Sequence, residues 1–185
     1  MTRHAQPVRQ AGVTLLELVI ALAIIGVLAV MATPSIIDRW QRATVVVLAD
    51  RLASAISLAQ KTAQYRHVET ELTPQNPAIG WASGWQLTEL PPKTAGTAPT
   101  SRQEILMSVS LPTVPVVKIT TGSSVSRGLT YEAVGYSRTA GVSGGTFTLS
   151  SGRHTRCVVI NDAGRILIRD PATDDSCKAA SNADP

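Results

Sequence analysis

Apolar residues run almost unbroken from Val13 to Ala32, VTLLELVIALAIIGVLAVMA, and no comparable block recurs later in the chain. These 20 residues are about what a helix needs to cross a hydrocarbon core of ~30 Å. Leu, Ala and Ile suit a helix in lipid, and the single Gly26 is tolerated there. After Ser35 the pattern changes. Ile36, Trp40, Val47, Leu48, Leu52, Ile56, Ala59 and Ala63 recur mainly at three- or four-residue spacing, with Arg39, Arg42, Asp50, Arg51 and Lys61 largely between them. This predicts that the membrane helix continues to about Gln64 as an amphipathic helix with one face on the following domain. Within that pattern Trp40 is expected as a core contact rather than an interfacial anchor.

Beyond Tyr65 the period shortens. Apolar runs bounded by Gly, Pro, Ser and Thr predict strands at His67–Leu72, Trp85–Leu90, Ile105–Leu111, Val114–Ile119, Leu129–Tyr131, Thr146–Leu149, Arg156–Ile160 and Arg165–Arg169. Pro91–Ser101 reads as a loop, and the last two strands flank a tight Asn161-Asp162-Ala163-Gly164 turn. The expected segments are 1–12, a short basic leader; 13–33, the membrane helix; 34–65, its amphipathic continuation; 66–170, a β-rich head; and 171–185, a polar tail. The fold class is α+β.

Charge sets the topology. Arg3 and Arg9 precede the apolar block with no acid beside them, so the N-terminus stays cytoplasmic and the chain after Ala32 is translocated. The formal net charge of +4 over 185 residues says little about partners. Glu17 is the anomaly: a carboxylate at membrane depth costs roughly 2.5–3.5 kcal/mol, less near the interface, and usually has a partner. A signal peptide has an uncharged core and a small-residue cleavage site after it. Here Ala21-Leu22-Ala23 sits in the middle of the run.

Gly12-Val13-Thr14-Leu15-Leu16-Glu17 resembles the cleavage signature of type IV prepilins. The resemblance implies cleavage after Gly12 by a prepilin peptidase and N-methylation of Val13, although that family usually has Phe at this position. It also implies that Glu17 pairs with the N-terminal ammonium of a neighbouring subunit, each charge compensating the other in apolar surroundings. Pro34 fits too, since pilin-like helices often carry a proline at this distance, where it kinks the helix or frees a carbonyl. Together with Leu58-Ala59-Gln60-Lys61-Thr62-Ala63, Gly84-Trp85 and the closing Val158-Val159-Ile160-Asn161…Gly164-Arg165 hairpin, the chain resembles the GspH/FimT family of minor pilins and pseudopilins. That resemblance implies a long N-terminal helix packed on a β-sandwich-like antiparallel head, with Trp85 in the core. It also implies an inner-membrane protein with a periplasmic head, assembled with other pilins into a type IV pilus or a type II secretion pseudopilus.

The remaining chemistry is sparse. Cys157 and Cys177 lie 20 residues apart without zinc spacing. Outside the cytoplasm a disulfide between them is expected, the competing state being two free, buried thiols. Gly141-Val142-Ser143-Gly144-Gly145 matches a hydrolase elbow in letters only: no carboxylate separates Ser143 from His154, and a strand follows. His4, His67 and His154 show no metal spacing, so neither enzyme activity nor a cofactor is expected. Between Arg127 and Arg169 six arginines face two acids, a net of +4, and the segment from Asp170 is acidic. Some FimT-like minor pilins bind DNA through a G-R-x-R motif in this hairpin. Here Gly164-Arg165-Ile166-Leu167 lacks the second arginine, which leaves Arg165, Arg169, Arg153 and Arg156 as the candidate contacts.

Overall fold

The computed structural model describes residues 12–91, 104–111, 117–138, 145–161, 164–173 and 177, with backbone alone at 30–34. Among the described residues one α-helix, α1 (Leu15–Arg66), precedes nine strands, and a short 3-10 turn lies at Ser123–Val125. The strands are β1 (Thr70–Asn76), β2 (Gly80–Glu89), β3 (Glu104–Ser110), β4 (Lys118–Thr121), β5 (Leu129–Tyr131), β6 (Ser137–Arg138), β7 (Gly145–Ser151), β8 (His154–Ile160) and β9 (Ile166–Arg169). The chain divides into two compact units, one up to Arg39 and one from Trp40 onward.

In the first unit α1 is apolar on every side from Leu18 to Ala29. Leu15, Leu16, Leu18, Val19, Ile20, Leu22, Ile24, Ile25, Val27, Leu28 and Ile36 are all exposed. A helix without a polar face has nothing to offer water; such a surface belongs in lipid or against other helices. The helix continues through Pro34, whose missing N–H leaves the carbonyl of Val30 without its usual helical donor.

In the second unit α1 packs on two antiparallel sheets, ordered β3-β2-β1-β5-β6 and β4-β7-β8-β9. Val45, Leu48, Ala49, Leu52, Ala55, Ile56, Ala59 and Ala63 form the buried stripe. The alanines let the helix approach the strands closely, and the hydroxyl of Thr70 donates to the carbonyl of Ala59 at 2.9 Å. Ser35–Arg66 is also long and apolar enough to cross a bilayer, but this half spends its apolar stripe on the head. Trp40 is 58% exposed and Val47 49%, which corrects the expectation of inward positions there. At 100° per residue both lie about a third of a turn from the line of the buried stripe.

The core joins both sheets. Trp81 on β2 meets Phe147 on β7 edge to face, with centroids 4.8 Å apart, and donates its indole N–H to the carbonyl of Val125 at 3.0 Å. Trp85, Leu72, Leu87, Leu129, Tyr131, Leu149 and Val158 are fully buried around them, so Trp85 is a core residue as expected. The indole N–H of Trp85 and the hydroxyls of Tyr131 and Ser137 are buried with no partner among the described residues.

Strand boundaries shift for local reasons. His67 takes a left-handed φ of 56° just past the helix end, the usual place for a C-terminal cap residue, so β1 starts at Thr70 rather than His67. β2 starts at Gly80 rather than Trp85, because a turn at Asn76 pairs its two ends: the N–H of Ile79 donates to the Asn76 carbonyl at 3.1 Å. β6 has two residues, too few for any periodicity. The predicted loop at Pro91–Ser101 and the Gly141–Gly145 segment up to Gly144 lie outside the described residues apart from Pro91, as do the leader before Gly12 and the start of the strand predicted at Val114.

Gly84 explains the Gly-Trp pair. Its φ is 104°, and a Cβ there would overlap the carbonyl oxygen of Val109 on β3. Gly84→Ala is therefore expected to destabilise the head by about 2–3 kcal/mol, from strain plus a forced separation of β2 and β3. Gly80→Ala, with φ 74° but open space around it, should cost only the backbone strain of about 1 kcal/mol. Urea unfolding followed by tryptophan fluorescence of the detergent-solubilised protein checks both; equal losses would show that contact with β3 is unimportant.

Candidate functional site: the helix start and the closing hairpin

The first turn of α1 is built by its own sequence. Thr14 precedes the helix, and its hydroxyl accepts the backbone N–H of Glu17 at 3.2 Å, while its carbonyl accepts the N–H of Leu18 at 3.2 Å. Thr14 is thus the N-cap and Glu17 the third helical residue, the Thr-x-x-Glu spacing of a capping box. A carboxylate in the first turn also faces the positive end of the helix dipole. The Thr-x-x-Glu spacing was available in the sequence as a cap signal, apart from any resemblance. Gly12 and Val13 lie just before the cap, and Val13 is 71% exposed. Open space surrounds Gly12.

The candidate basic residues do not form one cluster. Cys157 pairs with Arg169 and Val159 with Leu167, so Leu167 and Arg169 share the outer face of the four-stranded sheet with Cys157. Arg156 points to the opposite, helix-facing side and forms an ion pair with Asp170. Arg153 lies in the β7–β8 turn, at the other end of β8 from exposed Arg165; the seven residues of β8 set those ends about 20 Å apart. Arg153 and Arg169 are not without partners. Arg138 is held at 3.3 Å from Glu132 and 3.6 Å from Glu69.

The sequence marked Asp170 as the start of an acidic segment but not as the partner of Arg156. Asp170 accepts the N–H of Ala172 at 3.0 Å, and its carbonyl accepts the N–H of Thr173 at 2.9 Å. This turn leads the chain from β9 toward Cys177, which is disulfide-bonded to Cys157 with Cα atoms 5.9 Å apart. Closing that loop contributes roughly 3 kcal/mol in the chain-entropy model. The N–H of Ala172, with the guanidiniums of Arg156 and Arg42, holds the Asp170 carboxyl below its ordinary value.

The hairpin turn docks on α1. Gln60 donates to the carbonyl of Gly135 at 3.0 Å, and a Cβ on Gly164 (φ 76°) would lie 2.7 Å from the Gln60 amide nitrogen and 3.0 Å from the Tyr131 ring. The Gln60 of the helix motif and the Gly164 of the hairpin motif, distant in sequence, thus touch. Among the described residues no group of three or more His, Cys, Asp and Glu side chains could hold a metal ion.

Comparison with known proteins decides the lineage. The family model described as Type II transport protein GspH matches residues 48–164. The chain belongs to the GspH family. The prokaryotic N-terminal methylation motif matches residues 8–33, which covers Gly12, Val13 and Glu17. Among solved structures, a crystal structure of the Pseudomonas aeruginosa type IV minor pilin FimU has a TM-score of 0.55 at 18% identity, covering 71% of this chain and 92% of that one. A second crystal form of FimU gives a TM-score of 0.47 at 18% identity, covering 67% and 91%. No curated protein sequence matches. This GspH-family chain is therefore a minor pilin or pseudopilin, with an N-terminal helix packed on an antiparallel β head.

Asp170 generates a pH prediction. Its folded pKa is depressed, so its stabilising contribution is complete above the unfolded value and is lost as pH falls through the folded one. Asp170→Asn should lower the melting temperature at neutral pH and flatten the acid limb, so that mutant and wild-type curves converge in acid. Melting curves at a series of pH values check this; parallel curves would show that Asp170 is uncoupled from folding.

Proposed function

We propose that this protein is a filament subunit of a type IV pilus or of a type II secretion pseudopilus. It is held in the inner membrane by α1 with its head in the periplasm, then drawn into the filament after a prepilin peptidase cuts after Gly12. The observation that carries this reading is the start of α1: an exposed Gly12-Val13, a Thr14 cap and Glu17 in the first turn of a helix that is apolar all round. Cleavage leaves an ammonium, N-methylated, on Val13. In the filament Glu17 supplies the carboxylate that the neighbouring subunit's ammonium needs, and neither charge is left alone among apolar side chains. Pro34 supplies a free carbonyl where the helix must adapt during extraction. The role is mechanical; no residue acts as a catalyst and no cofactor enters it.

Mass spectrometry of protein from a host with prepilin peptidase should show a chain beginning at N-methylated Val13. An intact Met1 start, or a cut after Ala23, would overturn the reading. Glu17→Val should insert into membrane as well as wild type, yet enter filaments at least about tenfold less, the cost of leaving an ammonium unpaired. Equal co-purification with the other filament subunits would make Glu17 a bystander.

A second reading, binding of duplex DNA, is favoured by the exposure of Arg165 on the closing hairpin. The expected outcome is weak binding, because Arg156 is engaged by Asp170 and the arginines are spread along the hairpin. If DNA is bound, affinity falls steeply with salt, and Arg165→Ala with Arg169→Ala lowers the salt slope by about two contacts. Tight binding at physiological salt in mobility-shift assays would make DNA uptake the leading function.

A further inference from the structure

The apolar surface of α1 does not stop where the apolar block of the sequence does. Ile36 is 63% exposed, Ile37 49% and Trp40 58%. The stripe that packs on the head begins only at Val45. The chain has three tryptophans, and the other two, Trp81 and Trp85, are buried in the head. Trp40 is the tryptophan open to its surroundings.

Two features bound the place of α1 in a bilayer. At one end stands Glu17, and a carboxylate is costly at membrane depth; hydrocarbon that begins at Leu18 avoids that cost. At the other end the β7–β8 turn is seated on α1, since a Cβ on Gly152 would overlap the Gln41 side chain. The polar backbone of that turn cannot enter hydrocarbon, so the hydrocarbon ends before Gln41. Between these limits Leu18–Ile37 is twenty residues, about 30 Å of helix and about the thickness of the hydrocarbon core. The stretch Val13–Ala32 has the same length, but it takes Glu17 into lipid and leaves Ile36 and Ile37 in water. With the core at Leu18–Ile37, Trp40 stands three residues past it, about 4–5 Å further along the helix. That is the headgroup layer, where an indole keeps its ring on apolar chains and its N–H on polar oxygens. Arg39 and Arg42, both exposed, flank it with guanidiniums that can reach phosphates. Asp38, the acid of this stretch, is half-buried and is not without a partner.

We propose that α1 sits in the bilayer from Leu18 to Ile37 and that Trp40 is its anchor in the headgroup layer on the side of the head. The anchor fixes how deep the helix sits and keeps the β7–β8 turn clear of hydrocarbon. The partner is a phospholipid surface, because an exposed indole between two guanidiniums follows directly on exposed Ile36 and Ile37 and on a helix that is apolar all round from Leu18 to Ala29. The inference rests on the membrane anchoring of the proposed function and adds its depth and its anchoring residue.

The test uses the full-length protein in phosphatidylcholine–phosphatidylglycerol vesicles whose acyl chains carry bromine either close to the headgroup or close to the chain end. Shallow bromine should quench the tryptophan emission at least about twofold more than deep bromine. Trp40→Phe should abolish that quenching, because Trp81 and Trp85 lie buried in the head; the replaced side chain is exposed, and circular dichroism checks that the variant folds. Ile36→Ser with Ile37→Ser should draw the edge of the hydrocarbon back toward Ala32 and lower the shallow quenching about twofold. Absent quenching, equal quenching by both lipids, stronger quenching by deep bromine, or quenching that survives in Trp40→Phe overturns the proposal. So does a Trp40 shielded from bromine and from aqueous iodide alike, because another protein chain then covers it. Quenching unchanged by the two serines overturns the placement at Leu18–Ile37. Alkaline carbonate extraction of the same vesicles separates the two readings. Protein released into the supernatant refutes the membrane anchoring itself, whereas protein retained with Trp40 unquenched refutes the anchor alone.

Discussion

One helix has to satisfy two different solvents. Its first half presents Leu, Ile and Val in every direction, which only lipid or neighbouring helices can cover. Its second half concentrates burial on one stripe against the β head, with alanines at 49, 55, 59 and 63 setting a close approach. The head cannot form without that stripe, because both sheets contribute their inner faces to the same core. The helix start, in turn, is set by a single short-range device, the Thr14 hydroxyl on the Glu17 N–H.

The head is closed by contacts that are far apart in sequence. Gln60 holds the turn at Gly135 and lies against the turn at Gly164, so one amide side chain fixes two loops against the helix. The Cys157–Cys177 disulfide and the Asp170 turn then carry the chain from the last strand across the outer sheet face. Arg156 takes part in this closure rather than standing ready for a ligand. Basic residues near one another in sequence are therefore not a basic surface: alternation along a strand sends Arg156 and Arg169 to opposite faces, and Arg153 sits at the far end of the hairpin.

The chain's sequence by itself determined the apolar block, the Thr-x-x-Glu helix start, the series of short strands after Tyr65 and the pairing of the only two cysteines, each from a local rule of period, cap spacing, turn chemistry or simple arithmetic. The antiparallel head and Trp85 in its core were implied by the family resemblance. Tertiary structure alone decided the rest. Trp40 and Val47 face outward because their spacing sets them off the stripe that is buried, and which stripe of the helix is buried is decided only by packing against the sheets. β6 is too short to leave a pattern, and the start of β2 was hidden by a turn that only its partner strand defines. The ion pair of Asp170 and the seat of the β7–β8 turn on Gln41 bring together residues from α1, that turn, β8 and the end of β9. No local signal encodes them, because they arise only when strand register and helix direction are fixed together.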